Sequence, residues 1–575
     1  MKKIIRLVML FVLFVCLFGC SLGDDKPSDN KQEDNTNNEN IENNENNNNQ
    51  NNQNENNNNN NENNNENQNG NESTLVEVKI PDLKNVTMSD AVKAYNLSYD
   101  KSQVEIKKKA LIEIIKNAKS VDEINTAYDA FSSYNEEIYD KYVLAETLYN
   151  ADMSNETLES ASYDLYEMTL NLQTAFDEID VEIAKSDFAS DFFSGYTVEE
   201  IDALANSDID NDELNTILIH QKELQDKFYS AKSDKEKDTI LKTFVNNNKR
   251  IAELNGYNSD EYIKYSDTNN YLRLYTNEEI NNFETYVYEN ILDLSNEVYY
   301  LGYKLTNKED QDKVKKLSSK SFMDNMDFIT NYVNEIGGDF KETFNDLFDN
   351  GYYIISNNTN SYSTAYQDAG YNVRLVFFGY GYQDVSTFIH EFGHYYTSAK
   401  GTDNYSYDLC EVHSQGDEIL LRLYFLEDDP SDASKYYEYR FVSLLLDTVI
   451  DGVMIRLFEE TIYKEDVSSL QEAWNTINEK YDEFSGDDWY ELFIDYDNYY
   501  ISYATSAMGA LVLYAYGKEN GFEKAKEAYL KLCSYSGLGD IEEAFIYAGL
   551  PNPLAEDTIK DVVATISYEM ENSWK

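Results

Sequence analysis

Between residues 88 and 347 the chain contains no proline, and its 575 residues hold only five in all. Proline ends helices because it lacks the amide hydrogen and its ring clashes with the preceding turn. A proline-free stretch in which apolar residues recur at three- and four-residue steps is therefore constrained toward long uninterrupted helices. Residues 105–116 and 145–182 show that recurrence between charged positions, and no internal repeat of fixed period is present. Strand character is local. Residues 352–356 and 372–378 are short, rich in β-favouring side chains and flanked by Asn, Gly and Ser. The expectation is a mainly α fold with a small β-sheet beside the helix that follows residue 378. The strand before that helix could accept the added strand of an extended peptide. Equally, it could be one arm of a hairpin that covers the core.

The N-terminal end bounds the folded part. Lys2, Lys3 and Arg6 precede an apolar run over residues 7–18, too short to span a bilayer as a mature helix. The run closes on Leu17-Phe18-Gly19-Cys20, which resembles the bacterial lipoprotein signal in which the cysteine becomes the lipidated first residue. Residues 1–19 are expected to be a signal peptide and Cys20 the lipidated residue; an ordinary secretory signal or an uncleaved anchor is the alternative. Residues 20–74 are almost entirely Asn, Glu and Gln, a composition that cannot bury enough apolar surface to offset its ordering entropy. They are expected to be a disordered tether. A helical N-terminal lobe over 75–350 and a catalytic region over 351–575 follow in this reading.

A formal net charge of −60 argues against nucleic acid, whose phosphates need clustered Lys and Arg. It argues equally against direct docking on anionic lipid, which makes a lipid anchor more necessary. Beyond the signal region only Cys410 and Cys533 remain, too few for a disulfide framework, so the folded part must rely on core packing. The 50 tyrosines are read mainly as amphipathic core and surface residues.

Two of the four histidines stand at His390 and His394, within the run His390-Glu391-Phe392-Gly393-His394. On a helix this spacing sets two imidazoles one turn apart on one face, with a glutamate beside whatever metal they hold. A catalytic zinc also needs a third protein ligand and an open position for water. Downstream, in residues 409–418, a helical reading puts Glu411, Gln415 and Glu418 on one face and His413 roughly opposite. Glu411 is therefore taken as the third ligand and His413 as a bystander. Glu418 becomes a partner for a ligand histidine. His220 lies in a charged helical stretch and reads as a solvated surface residue. One Zn2+ per chain held by His390, His394 and Glu411 would activate water and polarise a scissile carbonyl, with Glu391 as general base and then acid. Gly393 would leave room for a neighbouring helix.

These residues resemble the M3 family of zinc metallopeptidases, the thimet oligopeptidase and oligoendopeptidase F group. The match rests on HEFGH at 390–394 and on Glu411-Val412-His413-Ser414 followed by Glu418. Similar stretches occur at 250–257, at Tyr499-Tyr500-Ile501-Ser502-Tyr503-Ala504-Thr505, and near the end at Ser536-Gly537 and Ala548-Gly549-Leu550. The resemblance runs from about residue 250 to 560 and implies a two-lobed helical shell around a deep channel that admits short oligopeptides. It also implies tyrosines that donate hydrogen bonds to the developing oxyanion, here Tyr499, Tyr503 and Tyr496. Two departures stand out. No histidine follows His413, where the family has one shortly before those tyrosines, and the segment between His394 and Glu411 is short.

The expected activity is zinc-dependent endopeptidase cleavage of oligopeptides outside the cytoplasmic membrane, on its extracellular or periplasmic face. The alternative is a catalytically impaired peptide-binding or adhesive surface lipoprotein that keeps the zinc site, a reading the missing histidine favours. The expected partners are peptides and the membrane, reached through the lipid anchor, with the protein itself a monomer.

Overall fold

The computed structural model describes residues 97–574, apart from 152–154, 207–210, 302–307, 350–352, 356–361, 366–373, 379–383, 401–406, 466, 468, 482–489, 491, 492, 495 and 538–540. The signal segment, Cys20 and the Asn-rich tether lie outside the described residues.

The first described helices are α1 (Ser102–Asn117), α2 (Val121–Ala151) and α3 (Glu156–Ala184), which pack side by side. Their shared core is built by residues such as Leu111, Phe131, Leu165 and Phe176, each at the three- and four-residue spacing of a helix face. The helical pattern over 145–182 is divided between α2 and α3. The physical reason is Asn155, whose side-chain oxygen accepts from the Thr157 and Leu158 amides and caps the start of α3.

A second core runs from Leu224 to Trp574 and holds most of the remaining apolar side chains. Hydrophobic packing therefore divides between Ile201 and Leu224. Helix α4 (Asp212–Ser230) bridges the two, with Leu218 packed against both. On the same helix, Lys222 reaches back to Glu146 of α2 at 3.0 Å.

The large core is organised on α9 (Asp432–Lys464) and α10 (Tyr500–Asn520), with α5 (Asn277–Leu301), α11 (Phe522–Leu532) and α12 (Glu556–Asn572) around them. In α10 every residue from Ile501 to Tyr514 is buried, the pattern of a helix enclosed on all sides. Gly452 of α9 permits its close crossing with α10, since a methyl there would overlap the backbone at Tyr500 and the Ala504 side chain.

Three short strands stand between α6 (Gly338–Asp349) and α7 (Val385–Lys400): β1 (Tyr353–Ile355), β2 (Tyr362–Ala365) and β3 (Arg374–Phe378). Their order is β1-β3-β2, with β1 parallel and β2 antiparallel to β3, in the register Tyr353 to Val376 and Tyr362 to Phe377. β2 and β3 lie against α7. The strand that precedes α7 is thus central and hydrogen-bonded on both sides. It is not an open edge for an added peptide strand; with β2 it forms an antiparallel hairpin, to which β1 adds a parallel third strand. Among the described residues, β1 and β2 are the outer strands of the sheet.

Candidate metal centre

Helix α7 carries His390, Glu391 and His394, and its orientation follows from its opposite side. Phe388 and Phe392 stack one turn apart and meet Phe340, Phe344 and Phe348 of α6, with the Phe340 and Phe392 ring centroids 4.9 Å apart. Burying that aromatic face turns His390 and His394 the other way, since residues two apart on a helix diverge. Asp384 accepts from the Thr387 amide at 3.0 Å and supports the first turn. The last turn is tied to α6 by Tyr396 and Lys400, which reach the Asp339 carboxylate at 2.9 and 2.7 Å.

Helix α8 (Tyr407–Asp428) crosses directly over this face. The contact point is Gly393. A β-carbon there would stand 2.7 Å from the His413 carbonyl oxygen and 2.9 Å from the Ser414 α-carbon, both inside van der Waals contact. Glycine lets the two backbones approach, and the approach brings Glu411 to the histidines. Glu411 Oε2 lies 3.5 Å from His390 Nε2 and 3.7 Å from His394 Nε2. One ligand atom from each of the three residues falls within a 4.8 Å span, the separation of groups that share one ion.

Each of these side chains is held from behind. His390 Nδ1 is 3.0 Å from Glu418 Oε1, and Ser386 Oγ donates to Glu418 Oε2 at 2.6 Å. Arg422 donates to the Glu418 backbone carbonyl at 3.0 Å and to its carboxylate at 3.3 Å, while its guanidinium lies over the Phe441 ring. Glu411 receives the Ser414 hydroxyl on Oε2 and the Tyr499 hydroxyl on Oε1, each at 3.0 Å. Ser386 and Arg422 were not among the residues singled out from sequence. For Arg422 a signal was present, since it stands one helical turn from Glu418, at i,i+4; Ser386 reaches Glu418 from another helix, which no local pattern shows.

The electrostatics suit a cation. His390 and His394 Nε2 are buried and hydrogen-bonded to nothing, as are both carboxylate oxygens of Glu391. Burial alone would depress the His390 imidazole, but the Glu418 hydrogen bond and the charges of Glu418, Glu411 and Glu391 outweigh it and push its pKa up to about 9. A site that draws a proton onto a buried histidine so strongly has negative charge to spare for a metal. His394 is pushed well below its ordinary range by burial and by the neighbouring His390 and His413, which favours the neutral, ligating form. Burial, with Glu411 and Glu418 beside it and His390 opposing, pushes Glu391 up to about 8. The donor set, two imidazole nitrogens and a carboxylate, fits zinc with an open position.

The remaining sequence candidates are placed as follows. His413 is buried on the other side of α8, where its carbonyl accepts the Tyr529 hydroxyl at 2.9 Å; burial pushes its imidazole down to about 4. His220 is half-buried rather than solvated, with its Nδ1 3.1 Å from the Asn247 amide of the adjacent helix. Tyr499 and Tyr503 join Tyr271 and Tyr407 in a buried ring cluster, with Tyr496 packed against it. Within it the Tyr499 hydroxyl donates to Glu411.

Neither a protein-family profile nor a curated protein matches this sequence. Solved structures do. A protein assigned as an oligoendopeptidase F from Bacillus anthracis superposes with a TM-score of 0.61 at 18% identity, over 83% of this chain and 98% of that one. The fold is that of oligoendopeptidase F. PZ peptidase A, solved with an inhibitor, gives 0.59 at 15% identity over 82% and 97% of the two chains. The oligoendopeptidase F from Enterococcus faecium gives 0.51 at 14% over 82% and 97%. At these identities the likeness establishes the oligoendopeptidase F fold. The chemistry must be argued from this chain's own residues.

Proposed function

We propose that this protein is a zinc-dependent, M3-type endopeptidase that hydrolyses short oligopeptides. The observation that carries the reading is the convergence of two unpartnered histidine nitrogens and the Glu411 carboxylate beside the unpartnered carboxylate of Glu391. The structural neighbours, oligoendopeptidases F and PZ peptidase A, are peptidases, which supports it.

Zinc held by His390, His394 and Glu411 would supply Lewis acidity toward water and toward a scissile carbonyl. Glu391 takes the proton of the attacking water and delivers it to the leaving amine; with no hydrogen bond to the protein, both of its oxygens are available for that exchange. Glu418 accepts the His390 Nδ1 proton, which fixes the ring and leaves Nε2 as the ligating atom. Tyr499 orients Glu411, and Tyr503 and Tyr496 are the donors assigned to the developing oxyanion. A two-lobed shell around a channel would restrict substrates to flexible peptides. Signal processing at Cys20 would anchor the enzyme by lipid outside the cytoplasmic membrane, with residues 20–74 as spacer.

Cleavage of a quenched-fluorescence peptide mixture by the zinc-replete full chain tests the reading. Turnover that disappears in Glu391→Gln, with zinc still bound, is the expected result. A zinc-replete wild type without turnover would refute it and would favour the impaired peptide-binding form, for which the absence of any histidine after His413 speaks.

A further inference from the structure

Among the described residues only two non-glycine residues have left-handed backbone, Leu272 at φ 48° and Asn498 at φ 58°. A left-handed residue other than glycine is uncommon, and for Leu it is an outlier that its surroundings must impose. The two lie far apart in sequence but in adjoining segments. Tyr271, beside Leu272, donates its hydroxyl to the carbonyl of Asp497, beside Asn498, at 2.6 Å. Arg273, on the other side of Leu272, is buried and donates to Ser502 at 2.7 Å in the first turn of α10.

Asn498 itself is completely buried, and its backbone amide and both side-chain polar atoms are engaged. Its backbone amide donates to Glu459 at 2.6 Å. Its side-chain carbonyl accepts from Arg456 at 2.6 Å and its side-chain NH2 donates to Asp267 at 2.9 Å. Arg456 also grips Asp267 through both guanidinium nitrogens, at 2.9 and 2.7 Å. The carboxamide accepts from the guanidinium and donates to the carboxylate at once, which the isosteric carboxylate of an aspartate could not do. The next residue is Tyr499, whose hydroxyl donates to Glu411 Oε1 and leaves Oε2 facing the two histidines.

We propose that Asn498 is a positioning residue for the metal centre: its amide locks the turn before α10 onto Arg456 and Asp267, and that lock seats the Tyr499 hydroxyl on Glu411. The inference rests on the reading of His390, His394 and Glu411 as a zinc site. It assigns to the Asp267–Arg456 pair a role beyond packing. The pair fixes the backbone that presents Tyr499, and through it the rotamer of a ligand carboxylate. Partners that orient a ligand in this way change metal affinity by about 10–100-fold when removed.

Asn498→Gly removes the amide while keeping the left-handed backbone without strain. Zinc affinity of the full chain, by competition with a chromophoric chelator, should fall about tenfold, with a shifted absorption spectrum of the cobalt-substituted site. Tyr499→Phe should give a similar loss, and Asn498→Gly in the Tyr499→Phe background should add little, because both act through one contact. Should Asn498→Gly fail to fold, Asn498→Asp, which tolerates the same backbone but cannot donate to Asp267, is read in its place with the same expectation. Wild-type zinc affinity and cobalt spectrum in a folded Asn498 variant would overturn the proposal. So would an effect fully additive with Tyr499→Phe. A wild type that binds no zinc refutes the metal centre itself, a result distinct from either.

Discussion

Glu411 and His413 stand two residues apart on one helix and meet opposite environments. Glu411 faces the histidine pair, and His413 faces α11, where its carbonyl receives Tyr529. Glu411→Ala should therefore weaken zinc binding by about 100-fold or more, whereas His413→Ala should cost stability and leave zinc bound. Calorimetric zinc titration of both variants checks this, and equal retention of zinc would contradict the assignment. The tyrosines separate in the same way. Tyr503→Phe should lower kcat with KM little changed, the mark of an interaction made in the transition state, while zinc affinity stays near wild type. The geometry of Glu411 and Glu418 is legible in sequence because helical periodicity alone puts them on one face. The clamp on Tyr499 is not. Asp267, Arg456 and Asn498 are brought together by tertiary packing across most of the large core, and no local pattern announces a carboxamide that must both donate and accept.

At the scale of elements, the site exists because α7 and α8 cross closely at Gly393. Gly393→Ala would force the helices apart against the His413 carbonyl, at a cost of about 1–3 kcal/mol for overpacking, only partly offset by the better helix propensity of Ala. A lower melting temperature together with weaker zinc binding is the expected outcome; unchanged zinc affinity would mean that the crossing does not set the ligand geometry. A second prediction concerns the packing of α5 on α9. Glu284 is buried there, and burial, with Glu460 adding to it, pushes its carboxyl up to about 7. A raised carboxyl pKa makes its contribution to stability complete below about pH 4.5, where the unfolded chain is also protonated. That contribution is lost as the pH climbs through 7. Glu284→Gln should then stabilise the fold by about 2 kcal/mol at pH 8 and by nearly nothing at pH 4.5. Thermal denaturation at the two pH values decides it. The helices themselves are legible from proline absence and periodicity. The central position of β3 is not, because strand order depends on which partners fold back to it.

For the whole molecule, charge and composition exclude partners more readily than they locate cores. The −60 net charge bears on nucleic acid and lipid, yet the division of the chain into two hydrophobic cores falls near residues 201–224, where composition shows no break. That division is set by α4, which packs Leu218 against both cores and sends Lys222 to Glu146. The oligoendopeptidase F fold surrounds a site whose ligands come from adjacent helices and whose supports come from across the large core. If the proposed function holds, short unstructured peptides should be cleaved while folded proteins containing the same sequences resist, a contrast that mass spectrometry of digests would show. The proposed chemistry depends on one ion between three side chains. An anomalous difference map at the zinc edge, from crystals of the full chain grown with zinc, tests it most directly. A single dominant peak about 2.0–2.2 Å from His390 Nε2, His394 Nε2 and a Glu411 oxygen is the expected result. No peak there, or zinc bound through other side chains while this site stays empty, would contradict it.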